Sequence, residues 1–310
     1  GGCENQGYAS RVGVRNGLAF LADEIGGLLL IDVSTPTDPQ RISTLQSIGW
    51  VYDLAVAGDY VCTAGHEGLS VGDVRNPAAP QQAGRCARIR SSLSVALFGH
   101  FACVGDAFAL WLVDIQDPTQ PRIVGRCNTV GGAQAVRVAG NNAYVAAGCA
   151  GLQVIDVTRS ANPQRLGTWD SPGPGYGVAV LEDFGYLADG QEGLQVVDAR
   201  EPTQPKPALE TGMLPKADAV TVCGDRAVVS GWSLMLLDLA NHSTPVQIDE
   251  ISRGPIPDVM LAGNRLFLVE EPTFQEELPD FLIFDVSAET NRWQAIRSEE
   301  HTSELQSPNT

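Results

Sequence analysis

The sequence predicts an all-β protein folded as a β-propeller of seven four-stranded blades, each about 42 residues long. A short apolar run ending in aspartate recurs seven times along the 310 residues, at intervals of 41, 41, 42, 42, 40 and 47 residues. Each interval divides into four strand-like segments separated by turn-forming residues, and no segment shows the 3.6-residue apolar period of an amphipathic helix. Repeats of this length with four short strands are typical of propeller blades.

The first two strands of each repeat, which we call a and b, form a predicted hairpin. Strand a is an alternating run such as AVRVAG at 135–140, in which every second side chain can face a core. Strand b follows across a tight turn, as in GNNAYVAAG at 140–148 and GDRAVVSG at 224–231. Gly-Asn and Gly-Asp are favoured in two-residue hairpins because the central residues need positive φ.

The third strand, c, is the recurring apolar run, for example GLQVIDV at 151–157. Its aspartate recurs in every copy, so we interpret it as architectural: the carboxylate can accept backbone N–H bonds from the turn that follows. We call these residues the anchor aspartates: Asp32, Asp73, Asp114, Asp156, Asp198, Asp238 and Asp285. A proline-containing turn such as STPTDPQ at 34–40 then leads into strand d, for example PQRLGTW at 163–169.

These strands assign residues 1–296 to a single propeller domain. The expected blades are 9–50, 51–91, 92–131, 132–173, 174–215, 216–254 and 255–296. Residues 1–8 are expected to be the end of a preceding strand d, which either closes the ring against the seventh blade or marks the chain as a fragment of a longer protein. Residues 297–310 resemble the translation of a common sequencing adapter and are interpreted as an artefactual disordered tail.

The repeated text, a GLQVIDV-type strand followed by a proline turn, resembles the LVIVD-repeat proteins, whose signature reads GLxVIDVSxPxxPxxVG. The resemblance extends over nearly the whole chain. It is specific in repeats one, four and five and weaker in six and seven, where the turns read ANHSTP and SAETNR. It implies a bacterial or archaeal protein that is extracellular or held at the cell surface, without naming a ligand.

The composition argues against several partners. A net charge of −17 disfavours nucleic acid, whose recognition requires clustered lysine and arginine. No run approaches the roughly 20 apolar residues that span a bilayer, so membrane insertion is not expected. The seven cysteines include no C-x-x-C pair and lie in strand-like text, so we expect most to be small buried hydrophobic residues. We expect no metal, no cofactor and a monomer.

A binding site is expected at one end of the propeller. Because the strands alternate in direction, the d-to-a and b-to-c segments lie at the same end of every blade, and these are the irregular segments. We call this end the loop-rich face, and expect function there because loops on a rigid scaffold carry binding residues. The segments include Trp50, His66, Glu67, Asp106, Glu192, Trp232 and the insertion at 270–280.

Six residues are the candidate ligand-binding residues: Arg11, Tyr52, Asp53, Arg137, Tyr176 and Asp258. Arg11, Asp53 and Asp258 share the column before strand a, where the acids either line the channel mouth or cap turns through local hydrogen bonds. Arg137 occupies a column that otherwise holds glycine, alanine, threonine or methionine. Its guanidinium could hold an anionic group of a ligand. The structural alternative is that it pairs with a neighbouring carboxylate or extends into solvent.

Two other patterns are better explained by structure than by chemistry. GLSVG at 68–72 matches a nucleophile elbow around Ser70, but it falls on strand c of the second repeat, where the sharp strand-to-helix turn of that motif has no place. The acidic insertion at 270–280 offers oxygen ligands for Ca²⁺, but lacks the alternating spacing of a calcium loop, which favours a solvated loop.

The sequence therefore favours a non-enzymatic binding module that presents its loop-rich face to a protein, a glycan or a small-molecule ligand. No column brings together an acid, a base and a nucleophile, so no catalytic residue is assigned. The alternative is a propeller hydrolase or lyase with a site at the channel mouth, built on Arg11, Asp53, Arg137 and Asp258. Propellers host many chemistries, so the fold does not choose between them.

Overall fold

The computed structural model describes residues 2–3, 9–23, 27–46, 49–208, 216–252, 256–270, 281–286 and 294–295. The tail at 297–310 and the insertion at 271–280 lie outside these residues, so the expectations for them stay predictions. In the described part of the chain, no helix is long and apolar enough to cross a membrane.

The strands follow one another in the predicted order, beginning with a short first strand and three complete blades. They are β1 (Gly2–Cys3); β2 (Ala9–Arg15), β3 (Leu18–Asp23), β4 (Gly27–Asp32) and β5 (Gln40–Leu45); β6 (Val51–Ala57), β7 (Tyr60–Gly65), β8 (Gly68–Asp73) and β9 (Gln81–Cys86); β10 (Ser94–Phe98), β11 (Phe101–Gly105), β12 (Ala109–Asp114) and β13 (Arg122–Asn128).

Blades four to seven repeat the same arrangement. Their strands are β14 (Ala135–Ala139), β15 (Asn142–Ala146), β16 (Leu152–Asp156) and β17 (Gln164–Trp169); β18 (Gly177–Leu181), β19 (Phe184–Ala188), β20 (Leu194–Asp198) and β21 (Lys206–Pro207); β22 (Ala219–Cys223), β23 (Arg226–Ser230), β24 (Ser233–Asp238) and β25 (Val246–Ser252); β26 (Asp258–Ala262), β27 (Arg265–Val269), β28 (Phe281–Asp285) and β29 (Gln294–Ala295).

Every blade is an antiparallel sheet with its strands in the order a, b, c, d. The prediction of seven four-stranded blades is confirmed. In the seventh sheet, β1 pairs with β28, with Gly2 opposite Leu282 and Cys3 opposite Phe281. The short strand β29 pairs with the other end of β28. The outer edge of the seventh blade is thus covered by strands from both ends of the described chain.

The a strands are innermost, as the sequence predicts. Each contacts the a strand of the next blade, from β2 and β6 around the ring to β22 and β26, and β26 contacts β2. The buried apolar residues form seven clusters, and each cluster lies between two neighbouring blades. The core is therefore a ring of blade-to-blade interfaces, and burial of that apolar surface is what holds the propeller together.

The anchor aspartates close the turn after strand c, as expected. In six of them a carboxylate oxygen accepts the backbone N–H of the residue two positions on, at 2.7 to 3.1 Å. The residue two positions after the seventh, Asp285, lies outside the described part of the chain. The architectural interpretation is confirmed for the six.

The cysteines and Ser70 also lie where the repeat places them. Cys62, Cys86, Cys103 and Cys127 are buried free thiols, whereas Cys149 is exposed on a b-to-c turn. Ser70 lies in β8, is 1% exposed and faces Thr63 of β7 in the sheet. The interpretation of GLSVG as strand c rather than a nucleophile elbow is confirmed.

Candidate functional site

The a strands surround a central cavity. A volume of about 400 Å³ is lined by residues of β2, β6, β10, β14, β22 and β26. A smaller volume of about 140 Å³, lined by β14, β18 and β22, shares Arg137 and Thr221 with it. Most of the lining side chains are valine, leucine or alanine, so the channel wall is apolar apart from a few polar groups.

Three of the predicted site residues lie at one level of this channel. Arg11, Asp53 and Asp258 occupy equivalent positions at the start of strand a, as their pairing with strand b shows. The other four blades have small residues at this level: Ser94, Ala135, Gly177 and Ala219. Because strand a starts at the loop-rich face, the three charged residues lie at the mouth of the channel on that face.

The two acids join blades rather than capping their own turns. Asp258 accepts the backbone N–H of Val12 in the next blade at 2.9 Å. Asp53 accepts the N–H of Val95 in the next blade at 2.8 Å, and its second oxygen accepts the N–H of Leu54 at 2.9 Å. Hydrogen bonds to a carboxylate are stronger than those between neutral groups. The acids therefore stabilise contacts between inner strands at the mouth.

Arg11 spans three blades at the same level. Its guanidinium donates to the carbonyl of Ser10 at 2.9 Å and to that of Pro257 in the seventh blade at 3.2 Å. Its Nε lies 3.8 Å from the carboxylate of Asp53 in the second blade. Arg11 and Asp53 are thus a partly buried ion pair that the surrounding backbone also binds.

Asp258 lies in an environment that shifts the pKa of its carboxyl group. Desolvation raises its pKa, and the nearby Asp53 charge acts in the same direction. The Arg11 charge, the N–H of Val12 and the Arg137 charge oppose that shift. Arg11 and Asp53 share the level of Asp258 at the mouth, and Arg137 lines the same cavity, so charges of blades one, two and four act on this carboxylate.

Arg137 lies two residues deeper along strand a than this level and is exposed to the channel. Its guanidinium donates to the carbonyl of Val136 at 2.8 Å. The ion pairs formed by the described residues do not include Arg137. The structure therefore does not show the expected alternative in which Arg137 pairs with a neighbouring carboxylate. Its guanidinium is open to the cavity.

The two tyrosines lie at the rim. Tyr52 is half-buried at a β-bulge between Val51 and Asp53, where strand a of blade two begins. Tyr176 is 45% exposed, and its ring lies beside Gly190 of the same blade. Tyr52 therefore lies next to the charged mouth, whereas Tyr176 lies further round the ring on blade five.

Large exposed apolar side chains are concentrated on the loop-rich face. Five of the six found among the described residues are in d-to-a or b-to-c segments: Trp50 (55% exposed), Phe108 (72%), Val130 (59%), Tyr176 (45%) and Trp232 (62%). The sixth, Val246, follows a c-to-d turn at the opposite end. Phe108 and Val130 were not predicted, although an apolar residue inside a turn sequence such as GDAFA was a visible signal.

Both tryptophans on this face have polar neighbours. The Lys216 ammonium lies 4.8 Å from the ring centre of Trp232 and 2.7 Å from a carboxylate oxygen of Asp218. A shallow cavity of about 270 Å³ is lined by Trp50, His66, Glu67 and Gly49. Cation–π contacts of this kind orient an exposed ring.

Buried carboxylates hold two of the loops. Asp189 accepts the Ser171 hydroxyl at 2.5 Å and the Gly173 N–H at 2.8 Å, and its burial raises its pKa. Asp106 accepts two backbone N–H bonds, one of them from Phe108 at 2.7 Å, and the indole N–H of Trp111 at 2.7 Å. The role of Asp189 has no local signal in the sequence, because its partners are 16 and 18 residues away.

Metal-ligating side chains do not cluster in the part of the chain that the structure describes. No group of three or more histidine, cysteine, aspartate or glutamate residues there is arranged to hold a metal ion. What the face offers is an apolar rim, a charged mouth and an apolar channel.

The chain matches one protein-family model. The LVIVD repeat model matches residues 6–45, 48–88, 89–129, 130–170 and 172–209. These ranges correspond to the first five blades and together exceed half of the chain. A comparison with curated proteins gave no match.

Solved structures with the same architecture share little sequence with this chain. A functionally unknown protein from Desulfotomaculum acetoxidans DSM 771 superposes with a TM-score of 0.74 and 11% identity, covering 87% of this chain and 93% of its own. The designed protein Ika8 superposes with a TM-score of 0.68 and 11% identity, covering 94% of this chain and 87% of its own. Sqt1 of Saccharomyces cerevisiae superposes with a TM-score of 0.68 and 9% identity, covering 94% of this chain and 86% of its own. At these identities the likeness concerns the fold alone.

Proposed function

This chain belongs to the LVIVD repeat family, and from that premise we propose that it is a non-enzymatic binding module whose loop-rich face docks onto a partner protein. The observation that carries the proposal is that, among the residues the structure describes, five of the six large exposed apolar side chains lie on that face. Apolar patches bordered by polar groups are typical of protein interaction sites. The opposite face, made of hairpins and proline turns, has Val246 alone among these six.

The kinds of residue on this face favour a protein over a glycan or a small molecule. Tryptophan, tyrosine and phenylalanine are enriched at the energetic centres of protein interfaces. Trp50, Phe108, Tyr176 and Trp232 belong to different blades, so together they follow the rim of the propeller. A small ligand would contact one of them at a time, whereas a protein surface can contact several.

The geometry supports the alternative, a hydrolase or lyase at the channel mouth, less well. A general base needs an oxygen that can reach the substrate proton. Both oxygens of Asp53 accept backbone N–H bonds, and Arg11 is bound by two carbonyls. We therefore assign these two residues to the structure of the mouth and give them no catalytic role.

The binding experiment compares three forms of the chain as immobilised bait: the wild type, the triple variant Trp50→Ser, Phe108→Ser and Trp232→Ser, and the control Val246→Ser. Val246 is as exposed as the others but lies at the opposite end. A direct partner is expected to bind the wild type and the control with equal affinity and to lose at least about tenfold in affinity for the triple variant. Equal affinity for all three forms would refute docking through the loop-rich face.

We also propose an extracellular or cell-surface location, which rests on the family resemblance. Fractionation of cells that express the native gene is expected to recover the protein outside the cytoplasm. Recovery in the cytoplasm alone would contradict this location and would leave the docking proposal unaffected.

A further inference from the structure

The central cavity contains two opposite charges that do not form an ion pair with each other. Arg137 of the fourth blade and Asp258 of the seventh both line the volume of about 400 Å³. Blades four and seven are nearly opposite each other in a ring of seven, so the two residues lie on opposite walls of the channel, with Arg137 two residues deeper than Asp258. The ion pairs of the described residues do not include one between them.

The other charges at the mouth are already matched. Asp53 accepts two backbone N–H bonds and lies 3.8 Å from Arg11. Arg11 donates to the carbonyls of Ser10 and Pro257. By contrast, Arg137 donates one described hydrogen bond, to the carbonyl of Val136 in its own strand. Asp258 accepts one, from the Val12 N–H, through one of its two carboxylate oxygens. Arg137 and Asp258 therefore retain bonding capacity toward a ligand.

The walls between the two charges are apolar. They are formed by side chains such as Val56, Val95, Val138 and Leu261. A pocket of several hundred Å³ with apolar walls and a few convergent polar groups is typical of small-molecule sites. The volume of about 400 Å³ is enough for a compact ligand of about ten heavy atoms.

We propose that this cavity binds a small zwitterion, an amino acid or a related aminocarboxylate with an apolar body. The ligand carboxylate pairs with the Arg137 guanidinium, which can donate two parallel hydrogen bonds. The ligand ammonium pairs with the Asp258 carboxylate, and the hydrocarbon part lies against the valine and leucine walls. This site is inside the channel and is distinct from the aromatic rim proposed to dock a protein.

The arrangement of charges favours a zwitterion over a simple anion or cation. An anion paired with Arg137 leaves the second oxygen of the Asp258 carboxylate unpaired and places two negative charges in one cavity. A cation paired with Asp258 leaves the Arg137 charge unmatched in the same way. A ligand that carries both charges satisfies both side chains at once.

The experiment is calorimetric titration of the full chain with four compounds. The probes are 6-aminohexanoate and L-leucine as zwitterions, hexanoate as the matched anion and hexylamine as the matched cation. We expect at least one zwitterion to bind about tenfold or more tightly than either singly charged probe. If 6-aminohexanoate binds and L-leucine does not, the site is matched to widely separated charges, and the converse indicates an α-amino acid.

Two variants assign the roles of the two side chains. Arg137→Gln is expected to reduce zwitterion affinity to that of hexylamine, and Asp258→Asn to that of hexanoate. Asparagine keeps an oxygen that can accept the Val12 N–H, so the inner strands stay joined in this variant. Arg122→Gln, at an exposed site on β13, is the control for loss of one positive charge and is expected to bind like the wild type.

Two outcomes would overturn the proposal. One is that the wild type binds none of the four probes at millimolar concentration. The other is that zwitterion affinity is unchanged in Arg137→Gln. The Arg137 side chain is exposed, so this replacement is expected to leave folding intact. Neither result bears on docking through the rim, since the triple variant at Trp50, Phe108 and Trp232 alters no residue that lines this cavity.

Discussion

At the scale of single residues, the anchor aspartates and the acids at the channel mouth differ in where their hydrogen-bond partners lie. The anchor aspartates bond to the turn two residues ahead, so recurrence and local turn chemistry were enough to predict their role from the sequence. Asp53 and Asp258 bond to inner strands of the next blade, 42 and 246 residues away. The sequence placed both acids at the mouth, but it offered only local partners, because a contact between blades depends on how the ring closes.

Asp198 gives a prediction about acid stability. The Arg200 side chain, with help from the Arg200 N–H, lowers the pKa of Asp198 to about 2. Because the folded state binds this proton more weakly than the unfolded state, the stabilisation is complete above about pH 4 and is lost as the pH falls toward 2. In urea unfolding, the advantage of the wild type over Asp198→Asn is expected to shrink across this range. An advantage that does not change with pH would contradict the assignment.

Asp53 gives a prediction about cohesion between blades. Replacement by alanine leaves the N–H groups of Leu54 and Val95 without their acceptor, so Asp53→Ala is expected to cost about 3 kcal/mol of unfolding free energy. The control is Asp38→Ala, at an exposed position in a turn, with an expected cost below about 1 kcal/mol. Similar costs for the two variants in urea unfolding would show that the bonds of Asp53 do not join the blades.

At the scale of the blade, the structure explains why strand d contains a glycine, which the sequence alone did not reveal. A Cβ on Gly125 would collide with the carbonyl of Ser160 and contact Pro163, both in the proline turn of the next blade. Gly84 and Gly167 have the same relation to the turns at 118–121 and 202–205. The strands and turns themselves were predictable because their signals are local, whereas this close approach brings together segments about 35 residues apart.

A side chain at Gly125 is therefore expected to push neighbouring blades apart. Gly125→Val should lower the free energy of unfolding by about 2 kcal/mol or more, because the clash is with backbone that has little room to move. Arg126→Val, at the next position and exposed, is the control, with an expected change below about 1 kcal/mol. Equal thermal stability of the two variants would mean that the interface accommodates a side chain at this position.

At the scale of the whole molecule, seven apolar clusters join neighbouring blades into a ring. The repeat count predicted this ring, because each blade needs a neighbour on both sides to bury its faces. The sequence could not predict which turn residues would be exposed. Phe108 is displayed because Asp106 holds its loop, and that depends on three hydrogen bonds formed in the folded blade.

Pairing of β1 with β28 predicts a crosslink across the ends of the ring. Gly2 and Leu282 are directly opposite in the antiparallel pair, so the double variant Gly2→Cys and Leu282→Cys is expected to form a disulfide on oxidation. Peptide mass spectrometry would identify it, and the melting temperature should rise because the bond restricts the unfolded chain. The control pair, Gly2→Cys with Val246→Cys, should not crosslink. Crosslinking in both pairs or in neither would contradict the described pairing.

We infer that the repeats build the scaffold and that a partner binds the loop-rich face. Amide hydrogen exchange on the full chain, with and without a direct partner identified in the bait experiment, distinguishes the two ends of the propeller. We expect slower exchange, on binding, in the d-to-a and b-to-c segments around Trp50, Phe108 and Trp232. Protection confined to the opposite end, at the a–b hairpins such as Gly140–Asn141 and at the proline turns, would contradict it.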